Sequence, residues 1–134
     1  MTIDEVYKSI LADYDEVLHR LKKPERILRF IKAFPEEKTM EKLEKAIEAH
    51  DCEEAFLAVH NMKGISLNLG FSNLSKYCEA LTEELRDKDE LPKKEVLEPL
   101  IDALKKEYEK AVEIIKKLDW KSSKFKNKLK QINK

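Results

Sequence analysis

His60-Asn61-Met62-Lys63-Gly64-Ile65-Ser66-Leu67-Asn68-Leu69-Gly70 holds both glycines of a chain of 134 residues. Glycine costs roughly 1 kcal/mol relative to alanine inside a helix, so a chain that excludes it elsewhere has a local reason to admit it here. At about 100° per residue, Cys52, Ala55, Val59, Met62, Ser66 and Leu69 fall on one side of a single helix. This spacing predicts a helix from about Cys52 to Leu69 with that side against a core. Gly70 then serves as the turn that ends it, because glycine readily takes the left-handed conformation at a helix C-terminus. His60 lies about a quarter turn or more from the centre of the apolar side. It shares a flank with Lys63, Gly64 and Leu67, with Leu57 adjacent, and is expected to be only partly buried.

Downstream, Phe71, Leu74, Cys78, Leu81 and Leu85 step by three and four residues along a fourth helix ending near Arg86. A polar loop, Asp87 to Glu90, leads to Pro92, which can start a last helix marked by Leu97, Leu100, Leu104, Tyr108, Ala111, Ile115 and Leu118. Pro99, in its early turns, either bends that helix or marks its true start. At the other end, Thr2 with Glu5 fits a capping box, and Ile3, Val6, Tyr7, Ile10, Leu11 and Tyr14 form a short first helix. Val17, Leu18 and Leu21 continue the pattern to a break at Lys22-Lys23-Pro24. Pro24 suits the first position of the next segment, whose apolar face is Ile27, Leu28, Phe30, Ile31 and Phe34. Pro35 interrupts, and Met40, Leu43, Ala46 and Ile47 resume. The stretch from Pro24 to about Ala49 is a kinked helix or two collinear helices, and His50-Asp51 is a short connection. The expectation is an all-α chain, an antiparallel four-helix bundle with a short N-terminal helix.

The composition agrees, with 42% hydrophobic and 40% charged residues at helical spacing. One domain with a single core fits this length. All 27 acidic residues lie in residues 1–120, against 21 Lys and Arg there, whereas 121–134 hold six lysines and no acid. The expected division is a bundle over 1–120 and a basic C-terminal tail, or extension of the last helix, over 121–134. An acidic body argues against nucleic acid as its main partner, since phosphate binding needs a concentrated positive face. Cys52 and Cys78 form neither a CxxC pair nor a zinc pattern and fit reduced, buried thiols. The acidic start lacks the basic and apolar character of a signal peptide. With no apolar run approaching the roughly 20 residues of a membrane span, the chain is expected to be cytoplasmic.

The chemistry concentrates at His60. A partly exposed imidazole is mostly neutral at neutral pH and carries a free nucleophilic nitrogen, a possible acceptor for a phosphoryl group. One turn on, the Lys63 ammonium would keep the imidazole neutral before transfer and face the phosphate charge after it. Gly64 has no side chain to obstruct an approaching partner. A histidine, a cation and a cleared patch at this spacing suit transfer to another protein.

His60-x-x-Lys63-Gly64, five further residues and Gly70, with Leu74, Cys78 and Leu81 following, resembles the histidine-containing phosphotransfer (HPt) domain. The resemblance reaches upstream to Phe30, Phe34, Leu43 and the acidic connector near Asp51 and covers roughly residues 14–118. It implies that His60 carries the phosphoryl group, that Lys63 stabilises it and that Gly64 lets a receiver domain dock. The implied partners are receiver domains of response regulators or hybrid histidine kinases, with magnesium held on the receiver side only. The chain itself would be no enzyme, having neither kinase activity nor nucleotide site, and would need no cofactor. Helix geometry alone adds Leu57 and Leu67 as docking contacts, or as residues packed under a neighbouring helix. Val59 is bulkier than the small residue that often precedes the family's histidine, and Met62 replaces a common Leu, a volume-conserving exchange.

His19 and His50 lack such company. Glu16-x-x-His19 has no second copy, which a metal centre in a bundle would need. No metal site is expected, and the chain is expected to be a monomer. The rival is a non-catalytic interaction bundle that pairs helices through the stepped face of residues 97–118. Trp120, Phe125, Leu129 and Ile132 among lysines offer a weaker one, a tail lying on an anionic membrane.

Overall fold

The computed structural model describes residues 3–9 and 14–117. Thr2, Ile10, Leu11, Leu118 and the whole tail 121–134, to which several expectations belong, lie outside the described residues. Within them the regular structure is entirely helical: α1 Ile3–Ser9, α2 Tyr14–Leu21, α3 Pro24–Ala33, α4 Thr39–Glu48, α5 Cys52–Leu69, α6 Ser72–Leu85 and α7 Lys94–Lys116, with a 3-10 turn at Phe34–Glu36.

The breaks follow local chemistry. Pro24 opens α3 behind an extended Lys23, where its missing N–H and fixed φ cost nothing. Pro35 lies in the 3-10 turn, so the stretch from Pro24 to Ala49 is two separate helices. At the end of α4, the His50 N–H donates to the Ile47 carbonyl at 3.1 Å and the Asp51 N–H to the Ala46 carbonyl at 2.8 Å. This double closure puts His50 in the left-handed region, with φ 55°. Asp51 returns to extended geometry and caps α5, its carboxylate accepting the Glu54 N–H at 3.1 Å.

The same closure ends α5. Gly70, with φ 72°, donates to Leu67, and Phe71 donates to Ser66 at 2.9 Å. A residue with a Cβ is strained in this conformation, so the second glycine is a requirement of the turn. Phe71, expected in the fourth helix, instead precedes it, and its ring is buried. The last helix likewise starts at Lys94, after Pro92, and Pro99 sits inside it.

α5 packs between α4 and α6, with α2 and α3 also against it, and α7 packs on α6, α1 and the 3-10 turn. From the Gly70 turn α6 runs back along α5, and at the far end of the pair the buried Cys52 Sγ donates to the Leu85 carbonyl at 3.6 Å. The six inward residues expected on α5 are all buried. On α7, Leu97, Leu104, Ala111 and Ile115 are buried, whereas Leu100 and Tyr108 are half-buried. One end of the core is aromatic: Phe34 meets Phe71 edge-on with ring centres 5.3 Å apart, Tyr108 packs on Phe34 at 5.3 Å, and Tyr7 lies 6.2 Å from Phe71. Burying Phe34 and Phe71 stabilises the fold by about 1.5–3 kcal/mol each. Phe30 departs from its expected place in the apolar face of α3 and is 41% exposed.

The buried hydroxyls of Tyr7 and Tyr14 have no hydrogen-bond partner among the described residues, but those of the inner serine and threonine residues are satisfied locally. The Ser66 hydroxyl donates to the Lys63 carbonyl at 3.0 Å, and Thr82 donates to the Cys78 carbonyl at 2.6 Å. Both cysteines are free and buried. Burial pushes the Cys78 thiol up to about 12, against smaller lowering effects of Ser66 and the Lys63 charge. Cys52 is raised by the same cause, with Asp51 adding to it.

Candidate functional site

The outward side of α5 assembles the predicted residues on one stripe. His60 is exposed, which corrects the expectation of partial burial. The six inward residues alone centre about 130° from His60, and with Ala58, which is also buried, the buried face centres roughly 140° from it. The imidazole therefore projects almost directly away from the core.

Gly64 lies one turn on and is exposed. A Cβ built on it would meet nothing within 4 Å. Packing against a neighbouring helix therefore does not account for this glycine. What its absent side chain clears is the space above the helix.

Leu57 and Leu67 are 50% and 47% exposed. They are not tucked under a neighbouring helix. With His60 and Gly64 between them they form an apolar border on either side of the imidazole, along about three turns of α5.

Lys63 differs from these. It is half-buried, on the flank nearer α6, where its charge is felt at Cys78. Along α5 it stands one turn from His60. Gly70 is at the far end of α5 and acts in the turn, away from His60.

Three residues that sequence reasoning missed border this stripe. Phe56, one turn before His60, stacks on the imidazole with ring centres 5.7 Å apart and planes 8° from parallel. Arg86, just past α6, lays its guanidinium 5.7 Å from the centre of the Phe56 ring and pairs with Glu83 at 3.1 Å. Arg20 on α2 donates to the Leu67 carbonyl and pairs with Glu16 at 3.3 Å. Phe56 was accessible in principle, since residues four apart on a helix are neighbours. Arg20 and Arg86 reach the stripe only through tertiary packing, for which no spacing rule exists. The Glu16–Arg20 pair also gives Glu16 a role other than the one imagined with His19. His50 sits in the turn after α4 and takes no part in the stripe.

A family model for the Hpt domain matches residues 35–114, more than half of the chain. The matched span runs from the proline after α3 through nearly all of α7 and contains the whole stripe on α5. No curated protein and no solved structure matches the chain. Among the described residues, no helix is long and apolar enough to cross a membrane.

Proposed function

Because this chain belongs to the Hpt domain family, whose domains serve histidine phosphotransfer in two-component signalling, we propose that His60 is its phosphoryl-accepting residue, passing the group between receiver-domain aspartates in a phosphorelay. The observation that carries this reading is the exposed His60 beside a glycine whose missing side chain the fold itself does not require.

In the proposed step, the lone pair of the unprotonated ring nitrogen attacks the phosphorus of an aspartyl phosphate on the partner. The N–P bond forms as the P–O bond to the aspartate breaks, and that electron pair stays on the carboxylate. The other ring nitrogen keeps its proton, and the ring carries the resulting positive charge until that proton passes to water. Transfer onward reverses these bonds on a second receiver. Lys63 supplies positive charge to the phosphoryl oxygens, Gly64 lets the partner's backbone approach, and Leu57 and Leu67 give it apolar contact. Magnesium belongs to the receiver in this scheme, and this chain contributes neither a nucleotide site nor a cofactor. It acts as a carrier and not as a kinase.

The same reading takes α4 to α7 as the antiparallel four-helix bundle that presents the stripe, with residues 121–134 as a basic appendage. It further takes the carrier to be a cytoplasmic monomer. The rival interaction bundle needed an exposed apolar stripe on α7, but Leu97, Leu104, Ala111 and Ile115 are buried.

The test is phosphotransfer from a phosphorylated receiver domain to this protein and to its His60→Gln variant. Acid-labile, base-stable label on the parent alone is the expected result. A folded protein that takes no label from any of several receivers would bring the interaction bundle forward.

A further inference from the structure

We propose that Phe56 is a positioning residue for His60, a fixed wall against which the imidazole is held in one orientation, with Arg86 bracing that wall. The proposal rests on the reading of His60 as the acceptor, and it adds what makes an exposed histidine competent.

An imidazole on an outward helix face has little to hold it. Its χ1 can populate the staggered wells open to a helical residue, and its χ2 is broad and roughly two-fold. Only the orientations that aim the free nitrogen away from the helix meet a docked phosphoryl group in line. Unrestrained, the ring spends most of its time elsewhere. On α5 the restraint is visible: the Phe56 and His60 rings lie 8° from parallel with centres 5.7 Å apart, within the range of an offset stack.

Phe56 itself is held. It is half-buried and packed against the core. The Arg86 guanidinium lies over its ring at 5.7 Å and is tethered in turn by Glu83 at 3.1 Å. The Phe56 ring is thus contacted both by a guanidinium from the end of α6 and by the imidazole of His60.

The placement around the helix adds a second consequence. Phe56 and Lys63 stand one turn before and one turn after His60, both on the flank nearer α6 and both half-buried. Gly64 and Leu57 lie on the opposite flank, both exposed. One side of the imidazole is thus walled and charged, and the other is open. A partner is admitted from the Leu57 and Gly64 side, while the wall keeps the ring from turning away towards α6.

The experiment has two independent readouts on the parent protein, Phe56→Leu, Phe56→Tyr and Arg86→Gln. In the first, NMR records the His60 ring-proton shifts without any partner. The parent and Phe56→Tyr should show displacement by the neighbouring ring, Phe56→Leu should lose it, and Arg86→Gln should weaken it. In the second, transfer from a phosphorylated receiver is followed over a range of receiver concentrations. Phe56→Leu should lower the maximal rate about three- to six-fold, the number of ring orientations released, with the half-saturating concentration unchanged. Phe56→Tyr should restore it, and Arg86→Gln should fall between.

Circular dichroism and thermal melting confirm that each variant is folded, and Arg86→Gln leaves α5 untouched should Phe56→Leu prove unstable. Undisplaced His60 shifts in the parent would overturn the proposal, as would displaced shifts with an unchanged maximal rate in Phe56→Leu. If the parent accepts no phosphoryl group while its shifts are displaced, the acceptor reading fails and the stack survives only as a structural contact, which also overturns the positioning role.

Discussion

On the inner face of α5, Cys52, Ala55, Val59, Met62, Ser66 and Leu69 are at most 4% exposed, whereas Leu57 and Leu67 on the outer face are 50% and 47% exposed. The inner side chains differ widely in chemistry, from Ser66 to Met62, yet all obey the demand for close packing. The outer residues break ordinary surface rules in three ways: two large apolar side chains in water, a glycine in mid-helix, and a histidine stacked on phenylalanine. Single exposed leucines need no explanation. Two that border a glycine and a histidine on one stripe fit the proposed docking of a partner there.

The comparison breaks most visibly if the two faces respond alike to truncation. Met62→Ala should destabilise the protein by about 2–5 kcal/mol in chemical denaturation, and Leu67→Ala by less than about 0.5 kcal/mol. Leu67→Ala should nevertheless weaken the apparent affinity for a receiver in transfer assays. A large stability loss from Leu67→Ala would place it in the core and remove it from the docking surface.

Alkaline titration sharpens the account of the interior. The Cys78 thiol is held neutral in the folded state, pushed from 9.0 up to about 12 chiefly by burial. The unfolded chain gives up that proton first. The contribution of Cys78 to stability is therefore complete below pH 9 and declines as the pH rises towards 12, by at most about 1.4 kcal/mol per pH unit. Cys78→Ala should show a shallower alkaline decline in denaturation midpoints than the parent. An equally steep decline would assign the effect to other groups, among them Tyr14, which burial also raises to about 12.

Between the two faces stands Lys63, half-buried and one turn from the proposed acceptor His60. Lys63→Gln should lower the rate of transfer to His60 about tenfold and leave the melting temperature nearly unchanged. Matched rates in the two proteins would make Lys63 an ordinary surface charge.

Much of the inner face was legible because burial follows one period. The helix from Cys52 to Leu69, the turn at Gly70 and the six inward residues required only helical spacing and the habits of glycine. The chain around Pro35 was harder, since a proline after a helical run is compatible with a kink or a break, and the 3-10 turn depends on how Phe34 packs against Phe71 and Tyr108. The exposure of His60 was also within reach of spacing, because the six inward residues alone centre about 130° from it, more than the quarter turn allowed for it. The stripe of His60, Lys63 and Gly64 could be read from spacing. Of its border only Phe56 could, because Arg20 and Arg86 reach the stripe through tertiary packing.

Gly64→Ala tests the contrast between the faces most directly, because there the fold and the proposed function make opposite demands. A Cβ meets nothing within 4 Å, and alanine is the better helix residue, so the variant should be more stable by about 0.5–1 kcal/mol in denaturant titration. If the clearing serves a docking partner, transfer from a phosphorylated receiver to His60 should slow at the same time. Higher stability with slower transfer is the expected result, and higher stability with unchanged transfer would contradict the assignment of the outer face of α5 to a partner.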